Sequence, residues 1–89
     1  MNDEQFYKRH IPNPGEKWQY FNGNIYKIIC IAEDSERVDP VIVYQGIHDF
    51  AYWVLPLGKF MSAVDHEQHP DVTQEYCFEK VADGIAKNP

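Results

Sequence analysis

Between Trp18 and Leu57 the chain is dominated by four short segments rich in aromatic and β-branched residues, separated by Asn22-Gly23 and by polar loops. Such side chains suit a pleated, half-buried surface, whereas branching at Cβ and ring bulk cost rotamer freedom in a helix. Asn-Gly accepts positive φ and reads as a tight hairpin turn. Residues 18–21 and 25–32 are therefore expected to form the first hairpin and residues 41–45 a third strand. Residues 50–55 make a fourth, stopped by Pro56.

In the second segment Tyr26, Ile28, Cys30 and Ala32 alternate with Ile25, Lys27, Ile29 and Ile31, so apolar groups fall on both faces, as in a central or barrel strand. Residues 33–40, with five charged side chains and Pro40, read as a solvated loop. Leu57, Phe60 and Met61 are spaced for a single helical turn within residues 57–63. Residues 76–81 read as a last strand, although a helix over 72–85 also fits the pattern. The expectation is an all-β domain with a minor helix: a small antiparallel barrel of about five strands over residues 16–82, with an N-terminal arm at 1–15 and a tail at 83–89.

With 89 residues the chain has room for one domain with a small core. A chain of this size buries only about 60–65% of the surface its unfolded form exposes. Thirteen aromatic residues exceed what such a core encloses, so some are expected to form an exposed apolar contact surface. The net charge is −6, with six acids against two bases in residues 65–89. That balance argues against duplex nucleic acid, whose binding rests on Lys and Arg neutralising phosphates. No apolar run approaches the ~20 residues that cross a bilayer, and no charged-then-apolar leader opens the chain, so a cytoplasmic location without membrane contact is expected. Cys30 and Cys77 both sit among apolar neighbours and read as small core residues.

Pro14-Gly15, Trp18, Tyr20-Phe21, Gly23 and Tyr26, followed by Ala32, Ser35-Glu36, Val43-Tyr44, Trp53-Val54, Pro56-Leu57 and Phe60, resemble the pattern of a bacterial and phage family, the Domain of Unknown Function 1653 family. The resemblance runs from about Asn13 to Val81 and implies an SH3-like barrel, with no activity to carry over. Four polar positions of that pattern differ: histidines expected near Tyr20 and at Asp34 are absent, and Leu55 and Cys77 stand where arginines are expected. If those residues form an anion site in the family, this chain has lost most of it.

No catalytic constellation is evident. His48-Asp49 could pair as base and orienting carboxylate, but adjacent residues of an extended chain point to opposite sides, and a polar turn is the simpler reading. His66 and His69, flanked by Asp65, Glu67 and Asp71, have a spacing that metals use, yet Pro70 and the polar surroundings favour a solvated loop. Arg37 is ringed by Glu33, Asp34, Glu36 and Asp39, a poor setting for phosphate. Phe6-Tyr7-Lys8-Arg9-His10 could stack on bases, but a short arm offers few phosphate contacts, and packing against the barrel or a second subunit competes with that reading.

The remaining feature is the aromatic set Trp18, Tyr20, Tyr26, Tyr44, Tyr52 and Trp53, spread over four neighbouring strands. Rings with polar tips suit recognition of peptides, bases or small ligands, although they also serve as the core of a small barrel. The expected function is a non-enzymatic binding or adaptor module, with no cofactor and no metal, that uses these six residues to hold a protein partner or another copy of itself. The alternatives are a pocket for a small ligand, including a nucleotide, and a weak hydrolase using His48 or His66.

Overall fold

The computed structural model describes residues 9–82 of the chain. Five strands, β1 (Lys17–Tyr20), β2 (Ile25–Ala32), β3 (Val41–Gly46), β4 (Tyr52–Pro56) and β5 (Phe78–Lys80), form one antiparallel sheet in the order β4-β3-β2-β1-β5. One helical turn, α1 (Leu57–Phe60), follows β4 directly. The chain thus meanders through four neighbouring strands and returns to lay β5 beside β1. The five antiparallel strands and the short helix match the sequence expectation, and the last segment is a strand rather than a helix. The sheet is open: β4 and β5 are its edges, and no ladder joins them among the described residues. The closure of the SH3-like barrel implied by the family resemblance is therefore not seen.

The β1–β2 turn shows why Asn22-Gly23 is informative. The Gly23 N–H donates to Tyr20 O at 2.8 Å, and the Asn22 side-chain oxygen accepts from the Asn24 N–H at 2.9 Å. Only the glycine takes the left-handed backbone, with φ 99°. The turn needs one permissive residue, and Asn22 supplies its side-chain acceptor instead. At the same end of the sheet, the turn between β3 and β4 holds Phe50 at φ 60° and ties the Ala51 N–H to the Asp49 carboxylate at 3.0 Å.

A β-bulge interrupts the β2–β3 ladder. Ile28 faces Tyr44 and Cys30 faces Val43, so Ile29 is the extra residue. The bulge reverses the alternation beyond it: Ile31, opposite the fully buried Ile42, packs on the core, and Cys30 moves off that face. The uniform alternation read from the sequence breaks here, and Cys30 is half-buried rather than a core residue. Cys77 does pack against the core.

The inner face of the sheet carries Trp18, Ile28, Ile42, Tyr44 and Phe78. Leu57, Phe60 and Met61, from α1 and its exit, cover part of it. Phe60 and Phe78 stack with centroids 4.0 Å apart and planes 11° apart. Because α1 follows the end of β4, it closes the end of the sheet remote from the two hairpin turns. The segment from Arg9 to Gly15 is docked on the sheet: Ile11 packs on the core, Pro12 is fully buried, and the Gly15 N–H donates to Ile28 O at 2.8 Å. The residues Phe6, Tyr7 and Lys8 of the aromatic and basic cluster lie outside the described residues, as does the tail at 83–89. Among the described residues no helix is long and apolar enough to cross a membrane.

Candidate functional site: an aromatic cleft at the open end of the sheet

The end of the inner face that α1 leaves uncovered is a cleft of about 240 Å³ lined by Tyr20, Tyr26, Tyr44, Trp53, Leu55 and Phe78. Each comes from the hairpin end of a different strand, except Trp53 and Leu55, which are two apart on β4 and so share its inner face. Cross-strand register brings them together: Tyr44 is opposite Trp53 and Tyr20 is opposite Phe78. That residues of both edge strands line one hollow means the sheet is strongly curved.

Four of the six residues expected to bind, Tyr20, Tyr26, Tyr44 and Trp53, converge on this cleft. The other two do not reach it. Trp18 is 1% exposed, in the core, with its indole N–H donating to Glu16 Oε1 at 3.0 Å. Tyr52, next to Trp53 on an extended strand, points to the outer face and is exposed. Leu55 and Phe78 are the lining residues that sequence reasoning missed. A period of two from Trp53 would have found Leu55. Phe78 needed the β1–β5 pairing, which no local pattern reveals.

The ring geometry gives the cleft steep walls. Tyr26 and Tyr44 stand edge-on at 88° with centroids 5.2 Å apart, and Tyr44 meets Phe78 at 69° and 5.5 Å. Tyr20 lies against Phe78 at 4.8 Å. Tyr44 is 8% exposed, and its hydroxyl has no hydrogen-bond partner among the described residues. Burial, with the phenols of Tyr26 and Tyr20 close by, pushes the Tyr44 pKa up to about 12, so the group stays neutral at physiological pH. Burial likewise raises that of Tyr20. Trp53, the outermost wall, is 48% exposed.

Beside the cleft, β4 is an edge strand whose Tyr52, Trp53 and Val54 are all exposed, joined by Phe50 from the preceding turn. The Gly46 N–H donates to Ala51 O and the Leu57 N–H to Pro40 O, both at 3.0 Å. Hydrogen-bonded pairs alternate along an antiparallel ladder, so Trp53 and Leu55 bond to β3, and the backbone N–H and C=O of Tyr52 and Val54 face outward. Edge strands are usually blunted by charge, bulges or cover. The run Tyr52-Trp53-Val54-Leu55 carries no charge, and Pro56 alone ends it.

The other sequence-level candidates fall elsewhere. His48 and Asp49 are exposed beside a shallow hollow of about 110 Å³ under the β3–β4 turn, and no bond joins their side chains. His66 is exposed, and His69 lies against the Phe21 ring at 4.9 Å. A wider hollow of about 470 Å³ lies between Arg37, Asp39, Pro40, Pro56, Gly58 and Lys59, where Arg37 and Asp39 pair with each other at 4.0 Å. Arg9 is committed to the scaffold. Its guanidinium donates to Met61 O at 2.7 Å and Phe78 O at 2.9 Å and lies 3.7 Å from the Tyr76 ring centre.

The family model described as a protein of unknown function, DUF1653, matches residues 16–76, more than half of the chain. The chain belongs to the DUF1653 family. The match takes in β1 through β4 and α1 and stops just before β5, so four of the five strands are family sequence. No curated protein and no solved structure matches the chain. Of the departures from the family pattern, Leu55 is itself a wall of the cleft and Cys77 adjoins another, Phe78.

Proposed function

We propose that this DUF1653 protein is a non-enzymatic binding module that captures an extended segment of a partner protein, or of a second copy of itself, along β4, with a side chain of that segment entering the aromatic cleft. The observation that carries the reading is the juxtaposition of an uncharged edge strand, its outer side unpaired among the described residues, with a cleft one residue away from it in register: Trp53 belongs to both. A strand added to β4 gains main-chain hydrogen bonds from Tyr52 and Val54, and alternate side chains of the added strand come to the cleft side. The main chain supplies affinity and the cleft supplies selectivity. The reducing cytoplasm is the proposed compartment, in keeping with two free thiols.

A pocket for a small ligand is the second reading, favoured by the Tyr44 hydroxyl, which has no hydrogen-bond partner among the described residues. For a nucleotide the cleft offers rings to stack on but no basic side chain among its lining residues to meet a phosphate.

The test is capture from the native host's extract with the wild-type chain, Val54→Pro and Trp53→Ala as parallel baits, together with sedimentation of the purified protein across a concentration series. A protein retained by wild type and lost by both variants, or a dimer abolished by Val54→Pro, supports the reading. Equal capture by all three baits and a monomer throughout would refute it.

A further inference from the structure

The chemical class of group that fits the cleft follows from its walls. Five of the six lining residues carry aromatic rings, and the planes of Tyr26, Tyr44 and Phe78 are mutually steep, at 88°, 69° and 63°. These three rings pack edge to face on one another, and together with Tyr20 and Trp53 they surround a group seated in the hollow with aromatic side chains. Ring faces are electron-rich and attract cations, and no lining residue carries a formal charge that would replace or repel one. This chain already seats one cation on a ring, Arg9 over Tyr76.

Three further observations narrow the choice. Tyr44, a buried lining residue, has a hydroxyl with no hydrogen-bond partner among the described residues. At about 240 Å³ the cleft is smaller than the roughly 300–1,000 Å³ of pockets for whole drug-sized ligands, so it suits a single head group. The net charge of −6 favours the approach of cations and opposes that of anions. A bare ammonium would exchange a full hydration shell for a few phenolic oxygens. A methylated ammonium has few or no N–H groups to satisfy and loses little.

We propose that the cleft holds a methylated ammonium group, carried either by a methylated lysine side chain of a bound segment or by a small quaternary amine. The inference rests on the reading of the cleft as the binding site and adds the class of group it selects.

The test compares choline with its neutral isostere 3,3-dimethylbutanol, following the aromatic resonances of Tyr20, Tyr26, Tyr44 and Trp53 by nuclear magnetic resonance. Choline is expected to shift these rings with an affinity at least about tenfold above that of the isostere. Trp53→Leu, which keeps an apolar wall but removes a ring, should bring choline down to the isostere's level while leaving the backbone amide spectrum of the fold in place. A short extended peptide bearing trimethyllysine, set against the same peptide with unmodified lysine, separates the two sources. Trimethyllysine binding at least tenfold tighter than choline assigns the group to a protein segment, and the reverse order assigns it to a small amine. Equal binding of choline and 3,3-dimethylbutanol would overturn the cation preference yet leave a working cleft. Shifts with neither probe would also overturn it, and the strand-capture reading would then stand or fall by the Val54→Pro bait alone.

Discussion

Glu16 shows how a single side chain can hold several parts of this fold. Its carboxylate accepts from the Asn13 N–H at 3.0 Å and the Trp18 indole N–H at 3.0 Å, and pairs with His10 Nε2 at 2.7 Å. Burial alone would raise its pKa, but the hydrogen bonds from Asn13, His10 and Trp18 outweigh it, so the group titrates below its ordinary value of 4.5. A depressed carboxyl stabilises the fold above the ordinary range, and that stability is lost as the pH falls through it toward the folded value. Denaturant midpoints followed from about pH 6 to about pH 3 should therefore drop less in Glu16→Gln than in wild type, from a lower starting point. Phe50 is the opposite case, an exposed ring in left-handed backbone that costs about 1–3 kcal/mol. Phe50→Gly should raise stability by about 0.5–1 kcal/mol in urea denaturation, after the extra unfolded-state entropy of glycine is allowed for. The Phe50 backbone closes the turn, its N–H donating to Gly46 O and its carbonyl accepting from Gln45 Nε2, both at 3.1 Å, while its ring stays exposed beside β4.

Among the elements, β4 makes the sharpest prediction because the ladder gives its neighbouring residues opposite roles. Val54 turns its N–H outward, so Val54→Pro removes no bond to β3 and should cost no more than about 1 kcal/mol while abolishing strand addition. Trp53→Pro breaks a ladder bond and should cost about 3 kcal/mol or more. Thermal melts of the two variants check the difference, and similar losses would mean that the register is wrong. The elements themselves were largely legible in the sequence: β-branched runs, one Asn-Gly turn and one proline stop place β1 to β4 within a residue or two and fix the start of α1, which ends at Phe60, three residues short of the expected limit. The bulge at Ile29 was not legible, because nothing in the run Ile28-Ile29-Cys30-Ile31 distinguishes the side chain left out of the pairing. That one residue decides whether Cys30 or Ile31 faces the core. The cleft was half legible. The aromatic content of the strands was plain, but which rings share a face depends on the pairing of β1 with β5, sixty residues apart in the chain, and on the curvature that brings the two edges to one hollow.

For the molecule as a whole, the chain that leads into β1 belongs to the fold. Arg9 bonds the carbonyls of Met61 and Phe78, Ile11 and Pro12 pack into the sheet, and Glu16 holds the approach to β1. Arg9 thereby ties the N-terminal segment to the exit of α1 and to β5, whose Phe78 is a wall of the cleft. A chain shortened to begin at Glu16 should lose about 3–5 kcal/mol, from a charged two-bond anchor, the buried Pro12 and the partly buried Ile11. A shortened chain with an unchanged denaturation midpoint would contradict this. Arg9→Lys should recover only part of the loss, since an ammonium does not reproduce the guanidinium's paired geometry. The central claim is that the open end of the sheet and the edge beside it act as one receptor. Amide hydrogen exchange at Tyr52 and Val54, measured with the captured partner present and absent, tests it most directly. The account predicts fast exchange at both residues in the free monomer and strong protection in the complex, with Trp53 and Leu55 protected in both states. Protection of Tyr52 and Val54 in the free monomer, or no change on binding, would contradict it.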